Sequence, residues 1–561
     1  MGVRFNHASH PPMKNCSILV SRKVLPLLAA CLVPFSIALA DPSLPVGDAS
    51  LLGGVPAANG RSGHPDNVLP KNFTLELVAQ GLDLLENPSG LLTHFGYLSD
   101  QDTRPIEPTK TEPDENTYLV LDYNPGGPEA GYDYGRHFLF QGHENSGDFA
   151  YVTRINLDVA SPDHHITLLT PVGADGKTHF NSIDGSTFNP FTHTLLFAQE
   201  AGANGGVFEL SPVFGSAPRT LYGILGRGGY EGIHPDDRGN IYIVEDVGGT
   251  SVNIDPNDLN SPKATKLPNS YIYRFLPTNP ADLSAGGVLQ ALQVKVDGTP
   301  LTFVPIDAAH PSGDVFSAAQ LKLHTAGRSW PVSWVKVHDT AVDGFADFNA
   351  NALARAAGAT PFKRPENGQF QPGSGFRTFF FDVTGDTDAR AGAVAALAAR
   401  GTWGGIFRLD LNPSRNGGSL SLVVLGDADH AAFDNLTFAS RDVLLATEDR
   451  GDSLHTQLNK LDSIWAFNVG PHVSAQRLVA LGRDKASEID VGLLGTPGYQ
   501  NEGDNEPTGL HVSDGSAKAN GLVGQREPSD DSLIFFTQQH GENNVYLMIP
   551  LPGKDHGHGH D

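Results

Sequence analysis

The chain has 561 residues, of which 39% are hydrophobic and 18% charged, and its formal net charge is −25. This length and apolar content describe a globular protein with a large core and exclude an intrinsically disordered chain. The negative charge disfavours nucleic acids and anionic membranes as partners and favours cations. With 63 glycines and 40 prolines the sequence is rich in turns, which is typical of many short strands and predicts an all-β fold.

Residues 1–40 are predicted to be a secretory signal peptide. Basic residues precede an apolar run at residues 24–39, and the small residues that end this run predict cleavage after Ala40. We therefore expect a secreted or periplasmic protein.

Two other interpretations of this segment stay open. A membrane anchor is disfavoured because the run is short for a bilayer span and contains Pro26 and Pro34, so no membrane span is predicted. A lipoprotein signal at Cys31 has suitable small residues before it, but the apolar run continues beyond that cysteine. Because Cys16 is the only other cysteine, the mature chain of the signal-peptide interpretation has no thiolate, and oxygen or imidazole must hold any metal.

The segment after the signal, residues 41–75, is rich in proline and glycine and is expected to form an extended arm. Residues 76–550 are expected to form one domain built from a repeat. Each copy has an apolar strand, a polar and mostly acidic end, a glycine-containing loop and a second apolar strand. The six copies are 137–157, 194–210, 241–275, 379–409, 443–467 and 534–548. This repeat predicts a six-bladed β-propeller with short helices inserted in its loops.

Two further segments lie outside the repeat. Residues 308–362 are predicted to be a helical insertion, because the stretch 345–358 is rich in alanine and has apolar residues spaced for one helical face. This insertion is either a packing decoration or a lid over the channel. Residues 551–561 are expected to be a flexible tail whose histidines alternate with glycines, which is more typical of metal scavenging than of catalysis.

Acidic residues recur in register with the repeat. In five copies an acid precedes the strand: Asp184, Glu231, Glu366, Asp434 and Glu506. Other acids, Glu144, Glu200, Asp246 and Asp449 among them, follow the apolar strands. Each acid alone is most simply a turn residue, but six radial copies would place these carboxylates around one channel mouth.

Carboxylates crowded at one mouth repel one another, raise one another's pKa and destabilise the fold unless a cation neutralises them. Hard oxygen ligands without thiolate suit Ca²⁺ best, and Mg²⁺, Mn²⁺ or Fe³⁺ remain alternatives at individual positions. The recurrence therefore predicts a metal site, with calcium as the first candidate.

An ordered set of short motifs resembles the PhoX-type alkaline phosphatases over about residues 135–550. The motifs are GRGGYEG at 226–232, YIYRFLP at 271–277, RPE at 364–366, FDNL at 433–436, and EPTG at 506–509 with QHG at 539–541. No single motif is decisive; the order of the set carries the resemblance.

The resemblance implies a secreted six-bladed propeller that hydrolyses phosphate monoesters with bound calcium and iron. By position, Glu231 and Glu366 would be catalytic metal ligands and Arg364 would bind the phosphate. The further metal ligands implied by position are Glu200, Asp246, Asn435, Asp449 and Glu506. The acid that ends the first apolar strand, Glu144, is a metal-ligand candidate as well.

The chain also departs from the family pattern. The family has an iron-binding cysteine followed by two acidic residues, and the corresponding stretch here is Ala198-Gln199-Glu200. A tyrosine, Tyr230, replaces the histidine that often precedes the Glu-Gly pair. We therefore expect a divergent member with Ca²⁺ as its first cofactor, and with Fe³⁺ or another transition metal placed in question.

Three functions follow from these observations. The first is an exported, metal-dependent phosphoric ester hydrolase acting on a small phosphorylated substrate, with Arg364, Glu366 and Glu231 as its catalytic residues. The second is a calcium-binding propeller without phosphatase activity that acts as a binding or structural module. A calcium-dependent lactonase-like propeller is a more distant third. A monomer is expected in each case.

Overall fold

The computed structural model describes residues 53–96, 111–159, 161–484, 505–529 and 531–551, which belong to one compact unit. The predicted signal peptide, both cysteines and the tail after Leu551 lie outside the described residues. The first three described strands are β1 (Phe73–Ala79), β2 (Leu84–Ser89) and β3 (Leu92–His94).

Two four-stranded antiparallel sheets follow in sequence order. The strands of the first are β4 (Glu112–Val120), β5 (His137–Glu144), β6 (Tyr151–Asn156) and β7 (Ile166–Leu168). The strands of the second are β8 (Ile183–Asn189), β9 (Thr194–Gln199), β10 (Gly206–Leu210) and β11 (Arg219–Thr220). Each sheet is a meander, since consecutive strands are neighbours.

The middle of the chain forms a ten-stranded sheet and a separate hairpin. Strand β19 joins the two halves of the sheet by pairing with β17 on one side and β23 on the other. The first-half strands are β12 (Tyr230–Pro235), β13 (Ile241–Glu245), β16 (Ile272–Pro277), β17 (Gly287–Val296) and β18 (Thr299–Pro300), with the hairpin β14 (Ser251–Asn253) and β15 (Lys263–Lys266) between them. Next come β19 (Ser329–Asp339), β20 (Gly368–Phe370), β21 (Thr378–Val383), β22 (Gly405–Leu411) and β23 (Gly417–Leu425).

Two more four-stranded sheets complete the described chain. One contains β24 (Phe433–Ser440), β25 (Val443–Glu448), β26 (Ser463–Asn468) and β27 (Ser474–Ala480). The other contains β28 (Glu506–Ser513), β29 (Leu533–Gln539) and β30 (Asn544–Pro550), and its fourth strand is β1, which pairs with β30. The first strand of the described residues therefore completes the last sheet.

Apolar side chains on both faces of the strands explain why the sheets pack face to face. In β9, Leu195 and Phe197 belong to the apolar cluster shared with the first sheet, whereas Leu196 and Ala198 belong to the cluster shared with the ten-stranded sheet. Alternate side chains of one strand thus serve two neighbouring interfaces. The result is an all-β, propeller-like arrangement of which four sheets are separate four-stranded blades.

Helices of four to eight residues occupy the loops. They are α1 (Tyr222–Leu225), α2 (Ala318–Leu323), α3 (Thr340–Asp343), α4 (Ala350–Ala356), α5 (Ala389–Gly392), α6 (Ala395–Ala398) and α7 (Gly451–Leu458). No helix in the described residues is long and apolar enough to cross a membrane.

The stretch 308–362, predicted as a helical insertion, holds α2, α3 and α4 but also the eleven-residue strand β19. The local alanine-rich pattern marked α4, whereas β19 forms because two sheet edges are available to pair with it. Within the predicted arm, β1 begins at Phe73, and Asn59 exchanges hydrogen bonds with Leu481 after β27.

Candidate metal centre

The first strands of the sheets carry β-bulges at the same level. In β4, β8, β12 and β24 two residues face one residue of the partner strand, and each bulged pair contains an acid. These acids are Asp114, Asp184, Glu231 and Asp434. A bulge re-aims side chains and is common next to active sites, so this backbone feature turns the recurring acids of the sequence towards one place.

Two glycines in these bulges let neighbouring strands approach. A Cβ on Gly185 would lie 2.0 Å from the carbonyl oxygen of Glu231, and one on Gly232 would lie 2.8 Å from the Cα of Asn367. Only glycine fits such close backbone contacts. The Asp-Gly and Glu-Gly pairs of the sequence are therefore needed for packing as well as for the bulge.

The acids form one continuous group, which we call the carboxylate cluster. In each of three overlapping trios, one ligand oxygen from every residue lies within 4.8 Å of the others. The trios are Asp114 with Glu144 and Asp184, Asp184 with Glu200 and Glu231, and Glu231 with Asp246 and Glu366.

Burial and mutual repulsion raise the pKa values of several carboxyl groups in the cluster. Burial is the largest cause for Glu144, Asp184, Glu200 and Glu231, whose pKa values are all raised well above the usual range, and neighbouring acids add to it. The pKa of Glu366 is raised to about 7 by burial and by Asp246, while Arg364 opposes the shift. Ionising these carboxyl groups is therefore less favourable than ionising ordinary ones, unless a cation is bound.

Arg364 brings positive charge to the cluster. Its Nε donates to Oδ2 of Asp246 at 2.8 Å, and its Nη2 lies 3.2 Å from Oε1 of Glu366. Burial alone would lower its pKa, but the acids raise it well above the ordinary value, so the guanidinium stays charged. Its backbone has a positive φ of 51°, an uncommon conformation for a residue other than glycine.

A buried ion pair supports the segment that carries Arg364. The Lys363 Nζ donates to both oxygens of Asp386 at 2.9 and 2.8 Å. Asp386 also accepts from the hydroxyl of Thr265 and the backbone N–H of Lys266, both on β15. The 251–266 hairpin is thereby tied to the residues next to Arg364.

The acids of the last two sheets lie close enough to the carboxylate cluster to interact with it electrostatically. Burial and Asp449 raise the pKa of Glu506 to about 8, although the His540 Nε2 lies 2.9 Å from its Oε2. Asn435 bridges this region, because its Oδ1 accepts from Thr508 at 3.0 Å and its Nδ2 donates to Asp434 at 3.1 Å.

Some cluster oxygens lack the partners that buried polar atoms normally have. Oδ1 of Asp184, Oε2 of Glu231 and Oδ1 of Asp246 are buried and accept no hydrogen bond within the described part of the chain. An unsatisfied buried carboxylate oxygen is costly unless a cation binds it. The oxygen-only donor set and these free oxygens fit a hard cation such as Ca²⁺.

The structure brings most of the predicted site residues together. Five predicted ligands, Glu144, Glu200, Glu231, Asp246 and Glu366, belong to the cluster, and Arg364 contacts it. The other predicted ligands, Asn435, Asp449 and Glu506, are not in the three trios.

Asp114 and Asp184 are cluster members that the ligand prediction missed. Asp184 was visible in the sequence as one of the recurring acids. Asp114 had a weaker signal: the pair Glu115-Asn116 beside it matches Glu366-Asn367 and resembles Asp434-Asn435.

Ala198, the residue at the position of the family's iron-binding cysteine, is fully buried in an apolar cluster. It pairs with Val207 and packs with Leu196 and Tyr230, opposite the bulge at Asp184. No cysteine occurs among the described residues, so oxygen and nitrogen atoms are the ligands available there.

The fold and the site define a propeller-like protein with a carboxylate cluster that could hold a metal ion and an arginine beside it. The family model for alkaline phosphatase PhoX matches residues 172–469, which is more than half of the 561 residues. The chain therefore belongs to the PhoX alkaline phosphatase family. This membership supports a phosphomonoesterase-like enzyme.

One solved structure supports the fold, and a second match is weaker. The Pseudomonas fluorescens PhoX complex with vanadate, a transition state analogue, is 12% identical with a TM-score of 0.51, covering 89% of this chain and 98% of that chain. The WD40 domain of Toxoplasma gondii coronin is 10% identical with a TM-score of 0.33, covering 88% of this chain and 90% of that chain. No curated protein sequence matches this chain.

Proposed function

We propose that this protein is a metal-dependent phosphomonoesterase whose substrate phosphate binds between the carboxylate cluster and Arg364. The observation that carries the proposal is the position of Arg364, which is charged, partly buried and held against Asp246 and Glu366 at the edge of a cluster with unsatisfied oxygens. A guanidinium makes paired hydrogen bonds to phosphoryl oxygens, and its two acidic partners fix its orientation.

Ca²⁺ is the cofactor that we propose for the three trios. Bound there, a cation would polarise phosphoryl oxygens and lower the pKa of a bound water. Glu231 and Asp184 each belong to two trios, so they would bridge adjacent sites. Fe³⁺ or another transition metal is a second candidate, and it would have to be held without a thiolate.

The protein's own residues have separable tasks in this proposal. Arg364 binds and orients the phosphate, while Glu231 and Glu366 hold metal at the reacting group. The partner acids of Arg364 keep its charge in place before substrate arrives, which reduces the reorganisation needed in the transition state. Asn435, Asp449 and Glu506 are proposed as ligands of a further cation in the adjacent part of the mouth.

The alternative is a calcium-binding propeller without phosphatase activity. It is favoured because Ala198, at the position of the family's iron-binding cysteine, lies in an apolar cluster and offers no thiolate ligand. Both functions predict tight calcium binding, and they differ in turnover.

We further propose that the ten-stranded sheet is two blades bridged by β19, which gives six blades. The first strands support a closed ring, because β4 contacts β8, β8 contacts β12, β12 contacts β20, β20 contacts β24, β24 contacts β28 and β28 contacts β4. Pairing of β1 with β30 would close this ring. Export through residues 1–40 and a monomeric state are parts of the same proposal.

The decisive experiment combines elemental analysis of the purified protein with hydrolysis of 4-nitrophenyl phosphate before and after chelation. We expect bound calcium, activity that chelation abolishes, and a loss of kcat/KM of about 100-fold or more in Arg364→Ala. Arg408→Ala is the matched control, because Arg408 pairs with Asp410 at the surface. Calcium without turnover in the wild type would contradict the enzyme and leave the binding propeller.

A further inference from the structure

A polar pocket lies beside the carboxylate cluster. The residues that define it here are Asp148, Asn181, Ser182, Gln199, Tyr222 and Arg227. Apart from one alanine, every residue lining the pocket carries a polar side chain. Among these residues, only Arg227, in the GRGGYEG motif, and Gln199, beside the position of the family's cysteine, were indicated by the sequence.

The backbone connects this pocket directly to two cluster acids. Gln199 and Ala201, which both line the pocket, flank Glu200 in the chain. The backbone N–H of Glu200 donates to the carbonyl oxygen of Ser182 at 2.9 Å, and the N–H of Ser182 donates to that of Asn145, the neighbour of Glu144, at 3.0 Å. The wall of the pocket is thus continuous with the wall of the cluster.

Hydrogen bonds hold the lining side chains in place. The Tyr222 hydroxyl donates to Oε1 of Gln199 at 2.7 Å, and Nε2 of Gln199 donates to the carbonyl oxygen of Asn181 at 2.9 Å. The Nδ2 of Asn181 then donates to Oδ1 of Asp148 at 2.9 Å. The chain of bonds runs across the pocket, so its donors and acceptors are fixed before any ligand binds.

The charged wall is also fixed. The Arg227 guanidinium lies 3.6 Å from the centroid of the Tyr222 ring and pairs with Asp347 at 3.0 Å. Around the pocket, Asp148 and Ser182 have positive φ values of 70° and 41°. Non-glycine residues in this conformation cost free energy and cluster at ligand-binding sites.

We propose that this pocket binds the alcohol part of the substrate, and that the favoured substrates are phosphate monoesters of polyhydroxy alcohols such as sugars. The inference rests on the proposed phosphatase function and adds a substrate class to it. Hydroxyl groups can both donate and accept, so they match a wall of carboxylate, amide, hydroxyl and guanidinium groups. An alkyl or aryl group would leave the donors and acceptors that these groups still offer to a ligand unused and removed from water.

The test compares glucose 6-phosphate with 4-nitrophenyl phosphate as substrates of the full-length protein. In Asp148→Ala and Tyr222→Phe we expect kcat/KM for glucose 6-phosphate to fall at least 10-fold more than kcat/KM for the aryl ester. Asp148→Asn, which keeps an acceptor, should restore part of the preference. Asp163→Ala, an exposed aspartate outside the pocket, is the control. Equal losses for both substrates, or an unchanged preference, would overturn the proposal.

A binding measurement separates this inference from the proposed function. Saturation-transfer NMR with glucose alone should show contact with the wild type and with Arg364→Ala, and a weaker signal with Asp148→Ala. If no phosphate ester is hydrolysed but glucose binds in this pattern, the pocket stands and the enzyme does not. If glucose gives no transfer in the wild type, the pocket proposal is wrong whether or not the aryl ester is hydrolysed.

Discussion

Two groups of buried acids in this molecule differ in whether the protein supplies them with cations and hydrogen-bond donors. In the sheet formed by β24–β27, Glu448 and Asp462 surround Arg450, and all three side chains are fully buried. Arg450 Nη2 donates to Glu448 at 2.6 Å, and Nε2 of His455 lies 2.7 Å from Asp462. In the carboxylate cluster, by contrast, seven acids crowd together and several oxygens accept no hydrogen bond within the described residues.

The difference separates structural from ligand-binding acids. A buried acid that serves only the fold is matched by a cation or donors, because an uncompensated buried charge is strongly unfavourable. Acids left without such partners need a ligand that the chain itself does not supply. The predictions below test this distinction, from the largest expected effect to the smallest.

The largest effect is expected for the buried acids around Arg450. Arg450→Met leaves Glu448 and Asp462 buried without their cation, and should lower the free energy of unfolding by about 3–5 kcal/mol. Denaturant unfolding followed by circular dichroism measures the change. A loss below about 1 kcal/mol would mean that these acids do not depend on Arg450.

Metal removal should also affect the acids around Glu506, which lie outside the carboxylate cluster, with a definite pH dependence. The folded pKa of Glu506 is about 8, above its ordinary 4.5. Between pH 4.5 and pH 8, Glu506 is therefore more protonated in the metal-free folded state than in the unfolded state. The free energy of unfolding attributable to this group therefore falls as pH rises from 4.5 to 8. Calcium at about 100 times its Kd should restore about 2.7 kcal/mol at pH 8. Melting temperatures at pH 5 and pH 8, with calcium or a chelator, test both parts; equal chelator sensitivity at the two pH values would contradict them.

Neutral substitutions should have opposite signs in the two groups. Glu231→Gln relieves repulsion in the cluster and should stabilise the metal-free protein by about 1–2 kcal/mol at pH 8, while weakening calcium binding. Asp462→Asn removes a charge that Arg450 and His455 stabilise, and should destabilise the protein by about 1–3 kcal/mol. Calorimetric calcium titration with parallel unfolding curves measures both, and destabilisation of the metal-free protein by Glu231→Gln would place Glu231 among the structural acids.

The smallest effect on the free energy of unfolding is expected for an exposed ion pair. Arg390 pairs with Asp388 at 2.6 Å but is 58% exposed, so Arg390→Ala should change the free energy of unfolding by less than about 1 kcal/mol. The same unfolding assay serves as the check. A change as large as that of Arg450→Met would show that burial is not the deciding variable.

The sequence by itself determined the strands and the recurrence of acids beside them. Apolar runs such as Leu195-Leu196-Phe197, bounded by turn residues, are local signals, and so are the Asp-Gly and Glu-Gly pairs. The family motif around Arg364 and Glu366 was readable in the same way. These features need no knowledge of which strands become neighbours.

Only the tertiary structure decided which acids share one site. The bulges at Asp114 and Asp184 and the close contact at Gly185 bring residues from different sheets within ligand distance, whereas Asn435, Asp449 and Glu506 are not in the three trios. Likewise, the direction of the Ala198 side chain follows from the strand's alternation once both neighbouring sheets are in place. Distances across a ring of strands depend on sheet packing and register, and no spacing along the chain encodes them locally.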